Sequence, residues 1–317
     1  VGQRAASNDA AAISRAKYLM KVDAHCAFDQ GFDRKMLEAF EEVGDDVTMV
    51  PMMRNLHVFD WVCKNGHRRY HSPPGECKQC GEPTEKEFVW IGKTNPTSTS
   101  YRFDTTLHFQ YWRDYKKRQK GDLVESMSLQ GSCFMMTREK WFDLNICDEG
   151  HGSWGQQGTE VACATWLSGG RVIVNKRTWY AHLFRTQKGF GFPWKPKKGQ
   201  IQAARDYSQD LWFNNKHPKQ TRPLSWLLDK FAPVPDWHDT KEGRKKLKEI
   251  GASIEPTKGI LYYTDNQCNI KVAKACRETM KASGLPITSV SLKPMKWFGH
   301  NIHYKGERGY LTMAKQI

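Results

Sequence analysis

Two groups of side chains in this sequence have the types and spacing that chemistry needs. Asp23 and His25 stand two apart at the end of a short, mostly apolar run, residues 17–23 (KYLMKVD). Alternate residues of an extended segment point the same way. A carboxylate and an imidazole can therefore face one point, and that pair suits a borderline divalent ion such as Mn2+. The second group is Cys63-x3-His67 with Cys77-x2-Cys80, on either side of a Gly/Pro loop, SPPGE. Two close ligand pairs separated by a short hairpin are the zinc-ribbon or knuckle pattern, and three Cys with one His make a closed structural Zn2+ site. His71 is an alternative to His67, although the tighter spacing favours His67. Such a module folds only with its metal.

The elements around these residues read as α/β. The run 17–23 is a strand, and a helix follows it, with Asp29 as its cap and Phe32, Met36, Leu37, Phe40 and Val43 on one face. Gly44 closes that helix, and 47–52 is the next strand. Residues 57–90 break the pattern and read as an insertion. Residues 101–120 are basic and aromatic. The α/β pattern resumes with a strand at 132–136, a short helix from Thr137, a polar loop at 147–158 and a helix at 159–167 stopped by Gly169-Gly170. A strand at 171–175 then leads through 178–184 to His182. Helices are expected near 200–214 and 224–231. Residues 235–258, with prolines and a Lys/Arg run at 244–248, read as a basic linker. A strand at 259–264, a helix at 270–282 and a strand at 287–292 open another α/β unit. The division is thus 1–234 with the insertion 57–90, a linker 235–258, and 259–317. Both ends read as cut: the chain starts directly in an Ala-rich helical stretch, and 306–317 is amphipathic without a cap.

Composition narrows the possible roles. With 49 Lys+Arg against 34 Asp+Glu, the +15 charge points to an anionic partner: nucleic acid, sugar nucleotide or acidic headgroup. Aromatics at 12% exclude a disordered basic tail. No apolar run approaches the ~20 residues of a membrane span. The nine cysteines are an odd number in a long chain with no secretory signal, which favours a reducing compartment over a disulfide framework.

The segment YLMKVDAHCAFDQGF resembles the metal motif of GT-A fold glycosyltransferases of the family-two type, in the variant of the polypeptide N-acetylgalactosaminyltransferases. A second block, GSCFMMTREKWFDLNICDEGHGSWGQQGTEVACATWLSGGRVIVNKRTWYAHLFR, is similar to their acceptor-side half, with its D-E-G, W-G-G-E-N, Gly-Gly and final His. The resemblance covers about 1–56 and 125–190. It implies a GT-A (Rossmann-like) nucleotide-diphospho-sugar transferase core that is N-terminally incomplete, lacking strands that in relatives bind uracil and ribose. It also implies that His182 completes a metal site with Asp23 and His25, holding Mn2+ (or Mg2+) against the diphosphate of a UDP-sugar. Arg185 is then the candidate cation for that diphosphate, and Trp154 for stacking on sugar or acceptor. The Glu of W-G-G-E-N falls on Gln157, one helical turn before Glu160. The acid/base or sugar-hydroxyl role is read onto Glu160, with Gln157 as a hydrogen-bonding substitute. The weaker similarity of 259–317 to a second glycosyltransferase-type module points to Asp265 or Asn266 as nucleotide contacts.

The expected function is a hexosyl- or N-acetylhexosaminyltransferase. Its acceptor is open among glycan, protein and DNA, and the zinc insert serves acceptor recognition or bracing. The two-module layout with a zinc insert resembles phage or bacterial enzymes, which places the chain in the cytoplasm. Two rivals remain. One is a zinc-containing nucleic-acid-binding protein, on the charge and the aromatics of 101–120. The other is a catalytically inactive sugar-binding scaffold, on Gln157 and the missing strands. The six other cysteines (Cys26, Cys133, Cys147, Cys163, Cys268 and Cys276) lie mostly in apolar contexts and behave as small hydrophobes.

Overall fold

The computed structural model describes residues 2–184, 197–252, 260–264, 278–279, 282, 287–291 and 300–303. Arg185, Asp265, Asn266, the terminal helix over 306–317 and nearly all of the helix expected over 270–282 lie outside the described residues. The chain divides into two compact units, Val1–Ser253 and Ile254–Ile317.

The first unit runs α1 (Gln3–Ile13), β1 (Tyr18–Val22), β2 (Cys26–Phe28), α2 (Phe32–Val43), β3 (Val47–Cys63), β4 (Arg68–Tyr70), β5 (Thr84–Ser98), β6 (Tyr101–Phe103), β7 (Phe109–Tyr111), β8 (Leu123–Glu125), β9 (Cys133–Thr137), α3 (Arg138–Asp143), α4 (Gln157–Leu167), β10 (Arg171–His182), α5 (Gln200–Phe213), α6 (Leu224–Phe231) and α7 (Lys241–Ala252). Its main sheet has the order β1-β9-β3-β10-β2, with β4 and β5 on β3 and β8 on β10. The β3/β10 pair is parallel and its other pairs are antiparallel.

Strands buried on both faces read as continuous apolar runs, and all five residues of β9 are buried. Successive residues serve opposite layers. Met49, Met135 and Ile173 pack under Met36, Ala39 and Phe40 of α2. Val50, Phe134, Met136 and Val172 face the larger core with Val161, Trp166 and Leu167 of α4 and Leu227, Leu228 and Phe231 of α6. The α/β class expected from the sequence is therefore present, as a mixed sheet between helices.

Three expectations change. Asp29 does not cap α2; its carboxylate accepts from Lys35 at 2.5 Å and Thr178 at 3.3 Å instead, and its amide donates to the Trp179 carbonyl at 3.0 Å, next to the β2/β10 pairing that ends at Phe28. Gly31, at φ 66°, enters the helix instead. Residues 57–90 do not break the sheet but extend it, since β3 runs on to Cys63 and pairs there with β5 from Thr84. Residues 235–252 are not a linker. Trp237 is fully buried and donates from Nε1 to the Phe103 carbonyl at 3.1 Å, and α7 inserts Ile250 into the core.

The aromatics of 101–120 also find a structural use. Tyr101, Phe103 and Trp112 are buried and pack the core, whereas Tyr111 remains 41% exposed. In the second unit, β11 (Ile260–Thr264), β12 (Ile287–Ser291) and β13 (His300–His303) form a parallel sheet in that order.

Candidate functional site

The sheet pins residues 23–25 from both sides. The Asp23 amide donates to the Ser132 carbonyl at 2.8 Å, and the His25 carbonyl accepts from the Leu183 amide at 3.1 Å. The start of β9 and the end of β10 thus converge on the end of β1. His182 Nε2 lies 3.3 Å from Asp23 Oδ2, and His25 Nε2 lies 4.0 Å from the same oxygen. The two imidazole rings are 4.6 Å apart, and one ligand atom from each of the three residues falls within 4.8 Å of the others.

The other carboxylate oxygen, Oδ1, takes the ammonium of Lys21, which also donates to the Gly131 carbonyl at 2.8 Å. Burial pushes the Asp23 carboxyl up, but the His182 hydrogen bond and the Lys21 charge outweigh it and hold the group below its ordinary value. The carboxylate is therefore ionised and divided, one oxygen for Lys21 and one facing two imidazoles. Adjacent ligands of an octahedral ion at about 2.1 Å stand about 3 Å apart. The 3.3 Å pair is close to that spacing, and the His25 pair needs to close by about an ångström. One carboxylate oxygen and two imidazole nitrogens fit a borderline ion. Lys21 was missed from the sequence, although it lies two before Asp23 and shares its side of the strand.

The residues expected around the sugar sit at the start of α4. Gln157 packs beside Gly131, with its Cβ 3.1 Å from where a Gly131 side chain would begin, so it abuts the loop that anchors Lys21. Its amide donates to Cys147 Sγ at 3.2 Å and its carbonyl oxygen accepts from Gln3 at 2.7 Å. Trp154 is 37% exposed in the loop before α4. Glu160 departs from expectation. It is 2% exposed, pairs with Arg4 at 2.7 Å and accepts the Asp148 amide at 2.7 Å. The structure joins it to Arg4 and not to the Asp23 cluster. Arg4 gave no sequence signal, since a lone Arg in an Ala-rich helix looks like a solvated charge.

The cysteine group also assembles. Cys63, His67, Cys77 and Cys80 bring one ligand atom each within 4.8 Å of one another. Two tight turns hold them: the Gly66 amide donates to the Cys63 carbonyl and the Gly81 amide to the Cys77 carbonyl, both at 2.8 Å. Cys63 and Cys80 sulfurs lie 3.7 Å apart, and Cys77 Sγ lies 3.6 Å from His67 Nδ1. A tetrahedral Zn2+ with bonds of about 2.3 Å to S and 2.0–2.1 Å to N sets these edges at about 3.8 and 3.6 Å. The Glu82 amide and then the Asn65 side chain lower the Cys80 thiol to about 6, which favours the thiolate a metal needs. His71 is not part of the cluster; it is buried, and its Nε2 accepts from the Val58 amide at 2.7 Å.

Comparison with known proteins gives the same direction as the geometry. The likeness is to polypeptide N-acetylgalactosaminyltransferases. Polypeptide N-acetylgalactosaminyltransferase 5 of Caenorhabditis elegans is 22% identical over 262 residues, 81% of this chain and 35% of that protein. The mouse (Mus musculus) enzyme of the same name is 22% identical over 145 residues, 46% of this chain and 15% of that protein. Polypeptide N-acetylgalactosaminyltransferase 3 of Homo sapiens is 21% identical over 219 residues, 55% of this chain and 35% of that protein. The chain thus spans about a third or less of the length of these curated relatives. They are animal proteins, whereas the sequence resemblance pointed to phage or bacterial enzymes. No protein-family model matches. A solved structure of GalNAc-T7 with UDP, GalNAc and Mn2+ aligns at 16% identity over 79% of this chain and 42% of that one, with a TM-score of 0.49. No helix among the described residues is long and apolar enough to cross a membrane.

Proposed function

We propose that this chain carries the donor-handling core of a GT-A glycosyltransferase that moves a sugar, of the hexosyl or N-acetylhexosaminyl class, from a UDP-sugar to an acceptor hydroxyl. The observation that carries this reading is the convergence of Asp23, His25 and His182, from two distant parts of the chain, on one point at the sheet's edge. The curated relatives, named for N-acetylgalactosaminyl transfer to polypeptides, support the same chemistry.

Asp23 Oδ2, His25 Nε2 and His182 Nε2 would hold the divalent ion, Mn2+ by donor type. Bound there, it would offset the charge that builds on a departing nucleoside diphosphate. The protein's own contribution is positional. Lys21 fixes the Asp23 carboxylate and ties it to the Gly131 turn. That turn packs against Gln157 at the start of α4, which we assign to the sugar side of the site as a hydrogen-bonding group. Trp154 offers a half-open aromatic face for a sugar or acceptor ring, and Arg185, three residues beyond His182, is assigned to the diphosphate. We assign Cys63, His67, Cys77 and Cys80 to a structural Zn2+, on the match of their edges to a tetrahedron.

The test is Mn2+-dependent hydrolysis of UDP-N-acetylgalactosamine by the purified chain. Asp23→Ala should abolish it, since that change removes a metal ligand and leaves Lys21 without its counter-charge. Hydrolysis unchanged in Asp23→Ala would refute the metal assignment.

A further inference from the structure

Arg4 is 1% exposed. A guanidinium removed from water needs its donors matched, and here its partners define its task. Nε and Nη2 both donate to Oε2 of Glu160, at 2.9 and 2.7 Å. Nη1 donates to the Gly152 carbonyl at 3.1 Å and Nη2 to the Gly155 carbonyl at 2.5 Å. The flanking residues of α1 grip the same loop. The Gln3 amide donates to the Ser153 carbonyl at 3.1 Å, the Gln3 side chain to Gln157 at 2.7 Å, and the Asn8 side chain to the Cys147 carbonyl at 3.1 Å.

The loop needs such support. Gly152, Gly155 and Gln156 have φ of 75°, 110° and 60°, and the left-handed region is uncommon for a residue such as Gln. Glu160 acts from the other side, with Oε1 accepting the Asp148 amide at 2.7 Å. Oε2 takes two of the Arg4 N–H groups and Oε1 takes the Asp148 amide, and the side chain is 2% exposed, which keeps it from a substrate hydroxyl.

We propose that Arg4, through Glu160 and the carbonyls of Gly152 and Gly155, is the positioning residue for the 147–157 loop that carries Trp154 and Gln157, and that Glu160 anchors this loop without acting as acid or base. The inference rests on the glycosyltransferase reading for what the loop serves, but its geometry stands apart from it. Gln157 links the loop to the metal cluster through Gly131 and Lys21. A shift of the loop would therefore move the sugar-side groups while leaving the three metal ligands on the sheet.

Two readouts on the full chain separate the possibilities. The first is amide exchange over 147–157, measured without any ligand. Arg4→Met should speed it about tenfold, while β9 and β10 keep their protection. Arg4→Lys, which keeps the charge but not the fork, should fall between Arg4→Met and wild type; it becomes the deciding variant if Arg4→Met also loses protection in β9 and β10. The second is Mn2+-dependent UDP-sugar hydrolysis. Arg4→Met and Glu160→Gln should both lower kcat about tenfold or more with the Mn2+ requirement unchanged, and the pH profile of Glu160→Gln should superpose on that of the wild type. Unchanged exchange over the loop in Arg4→Met and Arg4→Lys overturns the proposal. So does loss of one limb of the pH profile in Glu160→Gln, which would make Glu160 an acid or base. A wild type with no hydrolysis overturns the glycosyltransferase reading alone, and the exchange data then decide the role of Arg4.

Discussion

Removing the ligands Cys77 and Cys80 together should release the zinc and unfold the tip of the insertion while sparing the central sheet. The size of the effect follows from the geometry. The cluster's two measured edges, 3.7 Å between Cys63 and Cys80 and 3.6 Å between Cys77 and His67, already match those of a tetrahedral Zn2+ site. Little rearrangement is then needed, and the binding free energy should fall in the range of structural zinc peptides, about 10–16 kcal/mol. That range corresponds to a dissociation constant of about 10−8 to 10−12 M. The tip has little else to hold it: between β3 and Thr84 the described buried residues are His71 and Cys77 alone. The assay is elemental analysis of the purified chain, with limited proteolysis over 64–83. Wild type should carry about one Zn per chain and resist cleavage there. Cys77→Ser/Cys80→Ser should carry none and be cut in that segment, leaving a resistant core. A zinc-free wild type that still resists cleavage would refute the reasoning.

Other consequences follow from packing and burial. Gly158 stands where a side chain would begin 2.1 Å from the Leu129 carbonyl oxygen. Gly158→Ala should push α4 from the Gly131 turn and cost about 1–3 kcal/mol, read as a lower denaturant midpoint; an unchanged midpoint would show that the contact relaxes freely. His151 is fully buried against Tyr207, with neither ring nitrogen hydrogen-bonded. Burial lowers its pKa, as it does for His217. A histidine whose folded pKa lies below its unfolded value of about 6.5 contributes stability that is fully present above pH 6.5 and is lost as pH falls through the folded pKa. Unfolding free energy should drop between pH 6.5 and 5.5 by up to about 1.4 kcal/mol per pH unit for each such site, read as a falling melting temperature. His151→Phe keeps the ring contact and should flatten that slope; an identical slope in the variant would assign the acid sensitivity elsewhere.

Much of the fold was legible because its signals are local. The helices at 200–214 and 224–231 and the strands around 18–22 and 133–137 carry their own apolar patterns, and at the start of α3 Thr137 accepts the Lys140 amide as a cap should. What was not legible depends on partners distant in sequence. Asp29 looks like a cap until β2 pairs with β10 and its carboxylate accepts from Thr178. The charged stretch at 235–252 looks like a linker until Trp237 finds the Phe103 carbonyl 134 positions away. The site shows the same division. Asp23, His25 and the four zinc ligands could be picked out by spacing, and His182 by resemblance. Glu160 was given a chemical role because its buried partner, Arg4, lies 156 residues earlier. A carboxylate's role is set by what surrounds it, and spacing alone carries no information about that.

Strand β3 runs from beside His182 to the Cys63 cluster, which constrains what a zinc bound there could do. Asn55 of β3 is in register with His182, and Cys63 ends the same strand. At about 3.3 Å per residue, the eight steps between them place the zinc ligands about 26 Å along β3 from the Asp23 cluster. That is too far for the zinc to touch a diphosphate held there. Its influence has to pass through the ladder. β5 returns from the zinc turns and lays Gly92 against β10, where a side chain at that position would begin 2.5 Å from the Trp179 ring and 3.1 Å from Ala181. Arg54 covers the same Trp179 ring at 4.6 Å, and the Trp179 carbonyl holds the Asp29 amide beyond β2. A zinc that fixes the far ends of β3 and β5 thereby holds the wall from which His182 projects. On this geometry a zinc held in the insertion would brace the site side of β10, and acceptor recognition would fall to its exposed outer face, where Phe88, Trp90 and Ile91 stand.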